Sequence, residues 1–305
     1  MPEHPRADAM RRICNTPGVR LDRFLAANWG PLSRRHTREI IAAGGVRVNG
    51  TIARKGLSLR DGDVVEVAAD ALAATAPRTE PGLAIAVLYE DAELIALDKP
   101  AGLPAVALRP SDAGTVANFL LAYAPETADA GRTPLEAGLV HRLDSGTSGV
   151  LLAARTREAW MVLRDQFRAR QVGKRYVAWI DGAIAGPGSV GDPIAHHPRR
   201  PRLMVVCAEP ARAARLGARP AHTRYRPLAP RPGGTLVEVQ IETGVRHQIR
   251  VHLAAAGHPV RGDVLYGGSV APRMLLHAVE LTIRHPADGR TLRIASPLPA
   301  AFDTA

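Results

Sequence analysis

Residues 68–82, AADALAATAPRTEPG, offer alanine, threonine and proline without apolar periodicity, and they separate a compact basic stretch from a long apolar-rich one. No shared core runs easily through such a segment. The sequence therefore predicts a linker over 68–82, a small unit over 19–67, a large unit over 83–302 and a flexible N-terminus over 1–18. A length of 305 residues agrees with two domains at about 150 residues each.

The large unit alternates element types. GVLLAAR (149–155) and KRYVAWI (174–180) read as strands, and TREAWMVLRDQFRAR between them spaces Ala159, Trp160, Leu163 and Phe167 on one helical face. TLVEVQIET (235–243) alternates like a strand, VRHQIRVHLAAAG reads as a helix stopped by Gly257, and MLLHAVELTIRHP reads as a strand ended by Pro286. The mixture implies an α+β fold rather than a doubly wound parallel sheet. No repeat of 20 to 50 residues is present, which sets solenoids and propellers aside.

Charge narrows the partners. The chain has 40 Lys and Arg against 29 Asp and Glu, a formal net charge of +11, so an anionic partner is expected. Its two cysteines, Cys14 and Cys207, form no C-x-x-C pair, which removes zinc ribbons, iron–sulfur clusters and a disulfide framework and suits a reducing cytosol. No stretch approaches the ~18 to 20 apolar residues of a membrane helix, and the opening lacks the apolar core of a signal peptide, so a cytoplasmic location is expected.

In the small unit, one short helix is followed by a second from Ser33, a plausible N-cap, which ends at Gly44-Gly45 before strands around VRV and VVEV. Leu21, Phe24, Leu25, Ile40 and Ile41 are the expected core. Arg34, Arg35, His36, Arg38, Arg47, Arg54 and Lys55 crowd the intervening surface, where phosphate contact is the obvious use. Charged helices often do no more than solvate a face. Here RLDRFL, SR, GGVRVNG, KG and DGDVVEV occur in an order that resembles the αL RNA-binding module first known from a small-subunit ribosomal protein. The resemblance covers about 50 residues, and it implies structured RNA as the ligand.

The most unusual string is GLVHRLDSGTSGVLLAAR, in which His141, Arg142 and Asp144 precede a glycine-rich turn and an apolar strand. GTSG is not the G-x-S-x-G of a nucleophile elbow, and the loop lacks the Gly-Lys-Ser/Thr of a phosphate-binding loop. Taken singly, a histidine there is more often structural and an Arg-x-Asp more often a surface ion pair. Taken whole, HRLDSGTSGVLL resembles the signature of the RluA family of pseudouridine synthases. Further matches follow in the family's order: YEDAELIALDKPAGL (89–103), DQFRARQVGKRY, PAHTRY (220–225), ETGVRHQIRVHLAAAGHPVRGDVLYG (242–267) and LLHAVEL (275–281).

That resemblance implies a catalytic domain with a mixed, mainly antiparallel sheet, and isomerisation of a uridine already within RNA. The nitrogen–carbon glycosidic bond is broken and the ribose is rejoined to carbon five, which needs no cofactor and no metal. Asp144 falls on the family's catalytic aspartate; ionised at neutral pH, it can attack the ring, attack the anomeric carbon or deprotonate the sugar. Tyr176 falls on the active-site tyrosine, with its ring against the uracil and its hydroxyl helping to remove the carbon-five proton. Arg250 matches the arginine that pairs with the aspartate, and Arg142 the residue that fills the space left by a flipped nucleotide. His141 and Lys99 are further RNA-side candidates, Lys99-Pro100 also reading as framework beside His252. Adjacent His196 and His197 sit in a Pro/Arg-rich stretch that reads as an RNA-facing loop rather than a metal site.

The chain departs from the family pattern at Asp98, where asparagine is usual, at PAVALRPSD, which lacks a Val-His-Pro, and at Val245, where arginine is common. The resemblance places these on the pocket rim or RNA face. The expected protein is thus a monomeric RNA pseudouridine synthase acting on large-subunit rRNA; the alternative is a noncatalytic RNA-binding or ribosome-assembly protein.

Overall fold

The computed structural model describes residues 9–29, 34–69, 71 and 77–304. The first unit comprises β1 (Ala9–Ile13), α1 (Leu21–Asn28), α2 (Arg34–Ala42), β2 (Val46–Val48), β3 (Thr51–Ile52) and β4 (Val64–Ala68). Its strands form one sheet in the order β1-β4-β2-β3. Leu21, Phe24, Leu25, Ile40 and Ile41 are all buried against Val46, Leu59, Val65 and Val67. Helix α2 ends as the two glycines require: Gly44 takes φ +74°, and the Gly45 N–H returns to the Ile40 carbonyl oxygen at 3.0 Å.

The sequence reads 1–18 as flexible, yet Ala9–Ile13 pair antiparallel with Val64–Ala68, and Cys14 is buried beside them. AMRRI shows no apolar alternation because it holds an edge position through backbone bonds. The first eight residues, the expected N-cap Ser33 and linker residues 70 and 72–76 lie outside the described residues, as do the side chains of Arg34, Arg35 and His36.

The large unit runs β5 (Ala86–Glu90), β6 (Leu94–Lys99), α3 (Val116–Tyr123), α4 (Thr127–Ala130), β7 (Ser148–Ala154), α5 (Arg157–Arg168), β8 (Gly173–Asp181) and β9 (Gly188–Val190). It continues through β10 (Ile194–His196), β11 (Met204–Val206), α6 (Pro210–Arg215), β12 (Thr223–Arg231), β13 (Gly234–Ile241), α7 (Gln248–Ala255), β14 (Leu276–Arg284), β15 (Thr291–Ala295) and α8 (Ala301–Thr304). Among the described residues, nine strands form one sheet ordered β5-β6-β7-β14-β8-β13-β12-β9, with β15 joined to β14. Neighbours are antiparallel except β7 and β14, which run parallel where Ser148 faces His277 and Gly149 faces Ala278. This is the mixed, mainly antiparallel α+β sheet expected.

Strand β7 is buried along its whole length because both sheet faces are covered. Leu151 and Ala153 enter one core with Val116 and Leu120 of α3, while Val150, Leu152 and Ala154 enter the other beneath Ala159, Trp160 and Leu163 of α5. Burial of each leucine contributes about 1.5–3 kcal/mol. The parallel junction leaves no room for a side chain at Gly149, whose φ is +110° and where a Cβ would collide with the Ala278 carbonyl. The start of β7 is thereby fixed, and with it the turn that precedes the strand.

Candidate active site

That turn carries Asp144. Its carbonyl oxygen accepts the Thr147 N–H at 3.0 Å, and the next carbonyl, of Ser145, accepts the Gly102 N–H at 2.7 Å. Lys99 braces the same turn from below. Its fully buried ammonium donates to the carbonyl oxygens of Pro100 (2.9 Å), Leu103 (2.6 Å) and Ser145 (3.0 Å), one acceptor for each N–H. Burial pushes its pKa down to about 7, against the opposing pull of the Asp144 charge. The RNA-contact expectation for Lys99 is corrected: with its three donors engaged beneath the turn, it holds framework.

Arg250 projects from α7 and is buried. Its Nη1 donates to Asp144 Oδ2 at 2.9 Å, while Nε and Nη2 grip Asp263 at 2.6 and 2.8 Å. Burial disfavours the guanidinium charge, but the bonds to Asp263 and Asp144 outweigh it and hold the pKa above its usual value. The aspartate is thus met by a permanent cation that cannot swing away.

His247 approaches from the other side, with Nε2 3.9 Å from Asp144 Oδ1. Its Nδ1 lies 2.9 Å from the Tyr266 hydroxyl, whose oxygen also accepts the Met204 N–H at 2.8 Å. With that oxygen already accepting, we assign the phenolic proton to Nδ1, which leaves the imidazole proton on Nε2, facing Asp144. Burial, assisted by Arg250 and Arg246, pushes the His247 pKa down to about 4 despite Asp144, so the ring is neutral at pH 7.

Tyr176 lies on β8, buried, in the wall of the same cleft as Asp144. Burial and the Asp144 charge both raise its pKa above the usual phenol value. The group is a neutral phenol at pH 7. It offers a flat ring and an O–H donor. The cleft measures about 610 Å³, with Leu143, Thr147, Ile241, Ile249 and Leu276 in its walls and exposed Arg142, Arg246 and Leu108 also lining it. Such a volume suits a small flat ligand.

His141 is fixed from within the fold. Its Nε2 accepts the Leu152 N–H at 3.1 Å, and its ring stacks on Phe167 at 4.9 Å between centroids. Burial, then the charges of Lys174 and Arg164, push its pKa to about 3, so it is an uncharged anchor for β7. Asp98 is corrected as well: it sits on β6, away from the residues lining the cleft, and accepts the Ser296 hydroxyl at 2.8 Å. Val245 and Leu108 do line the cleft. Arg38 and Lys55 are exposed on the small unit, where Arg47 donates to the Gly50 carbonyl at 2.9 Å. Among the described residues no group of three or more His, Cys, Asp or Glu could hold a metal, and His197 Nδ1 accepts the N–H groups of Arg199 and Arg200.

The fold thus gathers Asp144, Tyr176, Arg250 and Arg142 at one cleft, and adds three residues that sequence reasoning does not single out: Asp263, His247 and Tyr266. All three lie inside ETGVRHQIRVHLAAAGHPVRGDVLYG, so their signal was the string itself.

A family model described as RNA pseudouridylate synthase matches residues 93–255, and an S4 domain model matches 19–65. The chain is 35% identical over 297 residues to the ribosomal large subunit pseudouridine synthase D of Nitrosomonas europaea, covering 93% of this chain and 83% of that protein. It is 36% identical to the protein of the same name from Xanthomonas campestris pv. campestris, with 92% and 86% covered. Among solved structures, human RNA pseudouridylate synthase domain containing 1 superposes with a TM-score of 0.56 at 25% identity, over 73% of this chain and 90% of that one. Human RNA pseudouridylate synthase domain containing 4 gives 0.54 at 28%, over 71% and 90%.

Proposed function

Because the chain belongs to the RNA pseudouridylate synthase family and so converts uridine to pseudouridine within RNA, we propose that large-subunit ribosomal RNA is its substrate and Asp144 its catalytic carboxylate. The names of the bacterial relatives support the substrate. The observation that carries the catalytic assignment is the Asp144–Arg250–Asp263 bridge beside a cleft of about 610 Å³.

In this reading the target uridine turns out of its stack and enters the cleft. Arg142, exposed and without a described ion-pair partner, fills the vacated space and offsets part of the few kcal/mol that unstacking costs. Asp144 Oδ2 is occupied by Arg250, so Oδ1 is the oxygen that meets the nucleoside. The bond between N1 and the anomeric carbon breaks, the retained uracil rotates against the Tyr176 ring, and carbon five bonds the anomeric carbon. Carbon five loses one proton and N1 gains one, so product and substrate have the same atoms. The apolar walls at Leu143, Ile249 and Leu276 limit water around the detached ring.

The small unit, matched by the S4 model over 19–65 and completed by strand β1, is read as tethered through the 68–82 segment to a catalytic domain over 83–302, and it anchors structured RNA through Arg34, Arg35, Arg38, Arg47 and Lys55. The protein acts as a monomer in the cytoplasm, a location that the ribosomal names of its bacterial relatives support.

The test is incubation of the purified chain with transcribed large-subunit ribosomal RNA, followed by carbodiimide mapping of pseudouridine. Product is expected at discrete positions, and Asp144→Asn is expected to abolish it with RNA affinity nearly unchanged. Equal product from mutant and wild type would overturn the catalytic assignment. Tight binding without product from the wild type would favour a ribosome-assembly role.

A further inference from the structure

A second cleft of about 580 Å³ adjoins the first: Arg142, Tyr176, Arg219, Ile241, Gly244 and Val245 line both. Its lining includes Arg132, Arg164, Arg168, Arg170, Lys174 and Arg219 against a single carboxylate, Glu242. That carboxylate is already paired with Arg224 at 3.2 Å. Arg168 is satisfied by Asp165 at 2.7 Å, and Arg164 donates to the Val140 carbonyl at 2.8 Å. Lys174 donates to the neutral carbonyls of Glu242 and Thr243 and lies over the Phe167 ring at 5.9 Å. No described carboxylate forms an ion pair with Arg132, Arg170 or Arg219. Arg132 and Arg164 lie over the Trp160 ring, 5.8 and 5.6 Å from its centroid, so packing accounts for part of the collection; Arg170 and Arg219 have no such contact among the described residues, and so many charges of one sign repel one another.

Arg170 adds an independent observation. It takes φ +59°, the left-handed conformation, at the point where the chain reverses after α5 and the Gln171 N–H returns to the Gln166 carbonyl at 2.9 Å. Gly44 makes the same turn after α2 without strain. A side chain in this conformation carries a strain that glycine avoids. The strain thus places a guanidinium at the corner of the cleft.

We propose that this basic cleft holds the phosphate backbone of the RNA strand that leads away from the flipped uridine, with Arg132, Arg170 and Arg219 making the phosphate contacts. The inference rests on the RNA-modifying reading of the adjoining cleft. Backbone contacts of this kind set register and affinity without reading sequence.

The test uses the full chain and a fluorescent 20-nucleotide oligouridylate. Arg170→Gly and, separately, Arg219→Ser are each expected to weaken binding about three- to tenfold and to flatten the slope of log K against log salt by about 0.7. Arg170→Gly is also expected to melt no lower than wild type, because glycine relieves the strain, whereas a merely structural arginine would lower the melting temperature. Wild-type affinity and slope in both variants would overturn the inference; should Arg170→Gly fail to fold, Arg219→Ser decides alone. If wild type leaves ribosomal RNA unmodified while the variants lose oligouridylate affinity, the proposed substrate fails and the cleft stands. Modification by wild type with unaltered binding by the variants gives the reverse.

Discussion

Asp144 and Asp263 share one guanidinium: Arg250 gives Asp144 a single hydrogen bond of 2.9 Å and Asp263 a fork of 2.6 and 2.8 Å. The buried carboxylate fixes the arginine, and the arginine fixes the carboxylate that faces the cleft. Removing Asp263 leaves a buried cation with half its partners. Asp263→Ala is expected to lose about 3–5 kcal/mol of stability in urea unfolding and most pseudouridine formation. Arg250→Lys is expected to retain little activity, since an ammonium cannot bond both carboxylates in the same plane. Wild-type turnover in either variant would show that the bridge is not what positions Asp144.

Tyr176 is held as a neutral phenol by burial and by the Asp144 charge. A phenolate base would make the rate climb with pH toward its pKa. The expected profile instead shows no rise from this group between about pH 7 and 9, with the same shape in Tyr176→Phe, whose ring still lies against the base. A rise present in wild type and absent from Tyr176→Phe would restore the hydroxyl to proton removal.

Histidines set the acid limb of stability. Burial lowers His141 to about 3 and His247 to about 4, and lowers His252 and His277 as well. Their folded pKa values lie below the unfolded value near ~6.5, so the unfolded chain binds more protons below that pH. The stabilisation is complete above ~6.5 and is lost as pH falls through the folded values. Melting temperature is therefore expected to drop steadily from about pH 6.5 to 4, and less steeply in His141→Gln, which keeps an acceptor for the Leu152 N–H. A flat melting temperature across this window would contradict the neutral, buried histidines.

Much of the site was legible because the chemistry lies in short contiguous strings. Asp144 stands in HRLDSGTSG, where even Gly149 has a local cause, the close approach of β7 to Ala278. Tyr176 and Arg250 were found the same way, within recognisable strings. Asp263, His247 and Tyr266 were not singled out, because each acts through another side chain and none is unusual alone. Lys99 was misread for a related reason: a cation beside a catalytic string resembles an RNA contact until its burial and its backbone partners are known.

The sequence by itself determined the elements, the α+β class and the family, since periodicity, turn residues and motif order are properties of neighbours along the chain. Only the tertiary structure decided that Ala9–Ile13 complete the first sheet, that Tyr176 is buried in the wall of the Asp144 cleft, and that Arg132, Arg170 and Arg219 have no carboxylate partner among the described residues while Arg250 has two. Strand pairing, desolvation and charge separation depend on distances between residues far apart in sequence, and those distances exist only once the chain is folded.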